Sequence, residues 1–96
     1  MQDDEKPEEG LEDLVDSFLQ SRIAEYELLQ SSLSNKDFDT IQSYMHKWKG
    51  FCGPYGFGPL AKLSADLEEA AMEQSYDHCE KLLKEIHLYL KKRSQK

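Results

Sequence analysis

Between Leu11 and Leu90 the apolar residues return every three to four positions, in four runs divided by three short breaks. That period lines one stripe of an α-helix, and no alternating run offers a competing strand. Leu11, Leu14, Val15, Phe18, Ile23, Tyr26, Leu29 and Leu33 define a long first helix, with Leu19 and Leu28 widening its stripe. It should stop near Ser34-Asn35, because asparagine tolerates the left-handed conformation that ends helices. Asp37 then suits the N-cap of a second helix, whose inward face carries Phe38, Ile41, Met45, Trp48 and Cys52. Gly53-Pro54 ends that helix, since proline has no amide hydrogen to donate and its ring clashes with the preceding turn.

The segment from Gly53 to Pro59 reads as a turn, and Pro59 fits the first turn of a third helix. Leu60, Leu63, Leu67 and Ala71 form the third stripe, and Glu73-Gln74-Ser75 its exit, with Ser75 placed to cap the fourth helix. The fourth stripe holds Tyr76, Cys79, Leu83, Ile86 and Leu90, with Leu82 and Tyr89 alongside. Lys91-Lys92-Arg93 sets positive charge at the negative end of that helix. Short connections force neighbouring helices to lie side by side and reverse direction. The expected fold is therefore all-α: an antiparallel up-and-down four-helix bundle over residues 11–93. An acidic, disordered lead-in is expected over residues 1–10 and a short tail over residues 94–96.

The chain has 96 residues, enough for one domain with one core. With 19 acidic and 12 basic residues its formal net charge is -7, so the phosphates of DNA or RNA would repel it. Partners are expected to be proteins. No apolar run approaches a membrane span, and residues 1–10 lack the apolar core of a signal peptide. A cytoplasmic monomer is the expectation. The start at Met1 fits a free-standing protein, and a domain cut from a larger kinase is the alternative. Cys52 and Cys79 both fall on apolar stripes, which favours two buried thiols over a disulfide.

His46 breaks the pattern of the second helix. It lies about 100° beyond Met45, among Gln42, Ser43, Lys49 and Gly50, on a face that is polar and small. Alone, a histidine on a polar helix face is an ordinary surface residue. Phosphoryl transfer, however, needs a neutral imidazole with open access, and an exposed histidine, with an ordinary pKa of ~6.5, is largely neutral at pH ~7. Gly50 puts no side chain near the ring although glycine costs a helix about 1 kcal/mol relative to alanine. Lys49 brings a cation one turn away. His78 and His87 sit beside the fourth stripe and are assigned no chemistry. No metal site is expected, because bundle Glu-x-x-His pairs are missing and His78 and Cys79 diverge on a helix. No glycine-rich loop for ATP is present either.

The stretch from His46 to Glu68, HKWKGFCGPYGFGPLAKLSADLE, resembles the signature of histidine-phosphotransfer (HPt) domains. That signature runs His, any residue, a large apolar residue, Lys, Gly, a small-residue stretch with a further Gly, then a Leu-rich helix ending in Leu-Glu. His46, Trp48, Lys49, Gly50, Gly56, Leu60, Leu63, Leu67 and Glu68 occupy those positions without a gap. A looser likeness covers Leu14 to Met45 and Tyr76 to Leu90. Two positions depart from it: Phe51, where the family has a small residue, and the abrupt Gly53-Pro54 stop. Phe51 lies about 140° from His46 and should pack toward a neighbouring helix.

The resemblance implies a phosphorelay carrier without kinase activity of its own. His46 would accept the phosphoryl group, Lys49 would lie near it and Gly50 would keep the site open, with Gln42, Ser43 and Gly53 in the docking surface. Its partners would be response-regulator receiver domains, including that of a hybrid histidine kinase. The receiver would supply Mg²⁺ and most of the charge stabilisation, so no cofactor is expected on this chain. Two other readings are a receiver-binding module without transfer and a dimerising helical adaptor. The adaptor would use an exposed apolar patch of Tyr44, Tyr55 and Phe57, residues that equally suit a receiver-docking surface.

Overall fold

The structure is a computed structural model that describes Gly10 and residues 12–94. The expected lead-in, apart from Gly10, and the first stripe residue Leu11 lie outside the described residues, as do the last two of the tail. After a short 3-10 turn at Glu12–Leu14 come four helices: α1 (Val15–Ser34), α2 (Phe38–Phe51), α3 (Gly58–Met72) and α4 (Tyr76–Ser94). Each packs on the next and α4 closes against α1, whereas the diagonal pairs α1 with α3 and α2 with α4 do not touch. The result is the antiparallel four-helix bundle expected from the spacing, 37 Å long and 20 Å across. No described helix is long and apolar enough to cross a membrane.

The connections explain the reversals. Asp37 caps α2 as expected, its carboxylate accepting from the Thr40 amide at 3.2 Å and the Thr40 hydroxyl at 2.6 Å. The exit of α1 differs from expectation. Asn35 keeps an ordinary backbone (φ -91), and Lys36 takes the left-handed turn (φ 57). The reason is the hydrogen-bond pattern: Lys36 N–H reaches the Leu33 carbonyl and Asp37 N–H the Ser32 carbonyl, which places the left-handed residue just after the C-cap. Gln74 (φ 56) repeats the arrangement after α3, with Ser75 N–H on the Ala70 carbonyl. Ser75 then stands at the N-cap position of α4, its carbonyl accepting from Cys79.

Ile41, Met45, Trp48 and Cys52 are fully buried along α2, as are Leu60 and Leu67 on α3 and Cys79 and Ile86 on α4. Val15, Ile23, Phe38, Leu63 and Tyr89 are partly buried against this core, and three stripe residues fall outside it. Leu14 lies on the 3-10 turn, Leu28 is about 100° round from the buried Leu29, and Tyr76 opens α4 at the end of the bundle; all three are exposed. Conversely, α1 buries a charged residue, Arg22. Its Nη2 pairs with Glu25 Oε1 at 3.1 Å, and Glu25 in turn accepts from Trp48 Nε1 at 2.8 Å. The guanidinium lies over the rings of Phe18 (4.7 Å) and Phe51 (4.8 Å). This network ties α1 to the inner side of α2.

Both cysteines are free and buried. Burial pushes the Cys52 thiol up to about 12; Arg22 nearby pulls it down a little and Glu25 raises it. Since the thiolate is the nucleophile, the native protein is expected to resist iodoacetamide at pH ~8, taking up label only on unfolding. Mass spectrometry under native and denaturing conditions would reveal it. Rapid native labelling of either cysteine would mean that its helix opens readily.

Candidate functional site

α2 projects His46 away from the core because the neighbouring Met45 and Trp48 are drawn inside. The imidazole is 72% exposed and pairs with Glu68 of α3 across the α2/α3 seam. The separation from His46 Nδ1 to Glu68 Oε2 is 3.2 Å. Lys49, one turn after His46, gives Nζ to the other carboxylate oxygen, Oε1, at 2.6 Å. Glu68 thus bridges the histidine and the lysine from a nearly buried position, 9% exposed.

That bridge sets the tautomer of a neutral His46 ring. The hydrogen bond from Lys49 holds the Glu68 carboxyl below the usual carboxylate range. Burial pushes it the other way, and the His46 contact adds to the lowering. Ionised Glu68 can only accept, so in a neutral ring His46 Nδ1 must carry the proton and donate it. Nε2 is then left with its lone pair. A lone pair held outward on an exposed ring is what an incoming electrophile requires.

Glu68→Gln removes this constraint, because an amide can also donate to Nδ1 and favour the other tautomer. A nucleophilic role for His46 predicts that phosphoryl uptake by that variant is roughly ten- to a hundredfold slower, by analogy with other ring-orienting partners. ¹⁵N spectra of the imidazole should show the tautomer shift, and wild-type uptake by the variant would leave Glu68 without an orienting role. The pH dependence follows in sign. The folded carboxyl sits lower than its ordinary 4.5, so its stabilisation is complete above that pH and fades as pH falls through the folded value. The stability gap between wild type and Glu68→Gln should close in acid.

The other expected site residues divide. Gln42 and Ser43 line, with Asp39, Lys47, His46 and Glu68, an open concavity of about 400 Å³. Gly53 lies beyond the end of α2, outside that concavity. Gly50 faces open space: a Cβ built there would meet nothing within 4 Å, so nothing inside this chain demands a glycine. Phe51 packs inward as expected, edge-on to Phe18 of α1 at 5.5 Å, and leaves the ring of His46 uncovered. Glu68 is the residue to which sequence reading gave no role, although it sits in the Leu-Glu pair of the quoted signature. Of the other histidines, both are exposed, and His87 stacks on Tyr26 at 5.2 Å.

The Hpt domain family matches the chain over residues 13–95, all four helices included. The chain belongs to that family. No curated protein and no solved structure matches it significantly. Hpt domains serve phosphorelays as histidine phosphotransfer carriers that work with receiver domains of response regulators and have no kinase activity of their own. In this Hpt domain, His46 is the one histidine with a carboxylate partner among the described residues, and that carboxylate also holds Lys49.

Proposed function

We propose that this Hpt domain relays a phosphoryl group between receiver aspartates through Nε2 of His46. The observation that supports it is the Glu68 bridge, which pins Nδ1 and leaves Nε2 on a 72% exposed ring. A phosphorylated receiver docks over α2, with Gln42 and Ser43 bordering the contact and Gly53 at its far end. The Nε2 lone pair attacks phosphorus, the N–P bond forms, and the P–O bond to the aspartate breaks. The aspartate carboxylate leaves with the electron pair. The ring keeps its Nδ1 proton and becomes positive, and Glu68 balances that charge. Lys49, already one turn away, turns toward the phosphoryl oxygens. Mg²⁺ comes with the receiver, where it offsets phosphate charge. The second receiver reverses the step. We place the protein in the cytoplasm as a monomer.

The test is phosphoryl transfer from a panel of phosphorylated receivers, followed by peptide mapping. The expected product is one acid-labile, base-stable phosphate on the peptide containing His46. Binding of a receiver without any label would leave a docking module instead.

Gly50 offers a further check. Gly50→Ala adds a methyl group in open space on a helix and should stabilise the fold by about 0.5–1 kcal/mol. A larger side chain, as in Gly50→Gln, should slow transfer while leaving the thermal midpoint at or above wild type. Unchanged transfer by Gly50→Gln would mean that the partner does not pass over this position.

A further inference from the structure

Across the bundle from His46, α1 and α4 leave a groove of about 350 Å³ that includes the apolar side chains of Ile23, Tyr26 and Leu90. A second hollow continues along the same seam, between Gln30 of α1 and Lys84 and Leu88 of α4. The His46–Glu68 contact lies on the α2/α3 seam, and because diagonal helices do not touch, the two seams are on opposite sides of the bundle.

Leu88 is 64% exposed, more than any other large apolar side chain among the described residues. Its neighbours on the helix surface are Lys84, Glu85, Lys91 and Lys92, three cations to one acid, with Lys81 one turn further back. None of these four lysines is in an ion pair among the described residues. α4 holds five of the chain's 12 basic residues and three of its 19 acidic ones, a net +2 within a chain of net -7. The helix dipole accounts for cations in the last turn. It does not account for Lys81 and Lys84, nor for an exposed leucine among the lysines.

We propose that this α1/α4 face binds an acidic segment of a partner protein, one that carries an apolar side chain among its carboxylates. The apolar side chain enters the second hollow, which Leu88 lines, and the carboxylates meet Lys84, Lys91 and Lys92. Glu27, on the α1 rim of both hollows, repels acid and so directs the carboxylates to the α4 side. A second copy of this chain is the wrong occupant, since two-fold pairing would set the basic face of α4 against itself. With the two seams on opposite sides, the segment and a receiver at His46 bind together.

The experiment is fluorescence anisotropy of a labelled peptide of repeated Glu-Glu-Leu-Glu, titrated with the full chain at low salt. Saturable binding is expected. It should weaken roughly tenfold with the pair Lys84→Glu and Lys91→Glu, and by a similar factor with Leu88→Ser or a peptide with serine for leucine. Glu27→Lys should tighten it. All these positions are exposed, so the fold should survive each change. Failure of the peptide to bind, or full affinity in the Lys84/Lys91 pair variant, overturns the proposal. So does self-association that Leu88→Ser abolishes, preferential binding to phosphatidylglycerol vesicles, or peptide binding gained only when residues 1–9 are removed. The readout involves no phosphoryl transfer, so it stands or falls apart from the role of His46.

Discussion

A His46→Gln protein is expected to take up no phosphoryl group from any receiver that labels the wild type, while it folds and docks as before. Glutamine is close to histidine in size and polarity, but its amide nitrogen shares its lone pair with the carbonyl and is no nucleophile. The fold should not notice the change. The side chain is 72% exposed, and substitutions at such positions cost within about 0.5 kcal/mol. Glu68 loses one hydrogen bond and keeps Lys49 at 2.6 Å. Transfer and receiver affinity should therefore separate: labelling falls to background, and calorimetric binding stays within a few-fold of wild type. His78 and His87 serve as internal controls. Both are exposed on α4, and neither has a carboxylate partner like that of His46 among the described residues. Label appearing on either of them, or persisting in the variant, would move the acceptor elsewhere. Loss of receiver binding together with label would mean that His46 is needed for docking rather than chemistry.

The parts of the molecule legible in the sequence are those decided within one helix. The stripe of α2 and the outward position of His46 follow from 3.6-residue geometry alone, and Asp37 and Pro59 mark helix starts through local backbone chemistry. What escaped depends on how helices pack. Arg22 is invisible to a pattern of apolar residues, because its burial depends on Glu25 and on aromatic faces supplied partly by α2. Leu28 and Tyr76 obey the period yet point past the ends or sides of the neighbours that would cover them. The site divides in the same way. Lys49 and Gly50 are near His46 by helical spacing, whereas Glu68 lies 22 residues away and reaches Nδ1 only through the packing of α2 on α3.

Phe57 is the sharpest case, and it carries the largest stability prediction. Counted on the sequence as part of an exposed apolar patch with Tyr44 and Tyr55, its side chain is fully buried and the other two are half-buried. The turn after α2 folds it inward. Gly56 takes a left-handed backbone (φ 88) that other residues adopt at a cost, and Phe57 N–H bonds to the Cys52 carbonyl at 2.9 Å. The ring then stacks on Phe18 of α1 at 5.3 Å, lies edge-on to Tyr89 of α4 at 6.3 Å and sits under the Arg93 guanidinium at 4.1 Å. Phe57→Ala should therefore cost about 3–5 kcal/mol, as for other buried aromatic deletions. Small domains hold about 5–15 kcal/mol in all, so roughly a fifth or more of the stability is at stake. At about 4–8 °C per kcal/mol for a domain of this size, the thermal midpoint should fall by roughly 12 °C or more. Circular dichroism melts of Phe57→Ala against Tyr44→Ala measure it, with the half-buried Tyr44 costing clearly less. A fall of only a few degrees for Phe57→Ala would put the ring on the surface and revive the apolar-patch adaptor. A large fall, with phosphoryl uptake intact in the cold and lost on warming, would mean that the turn supports His46 by holding the helix ends together.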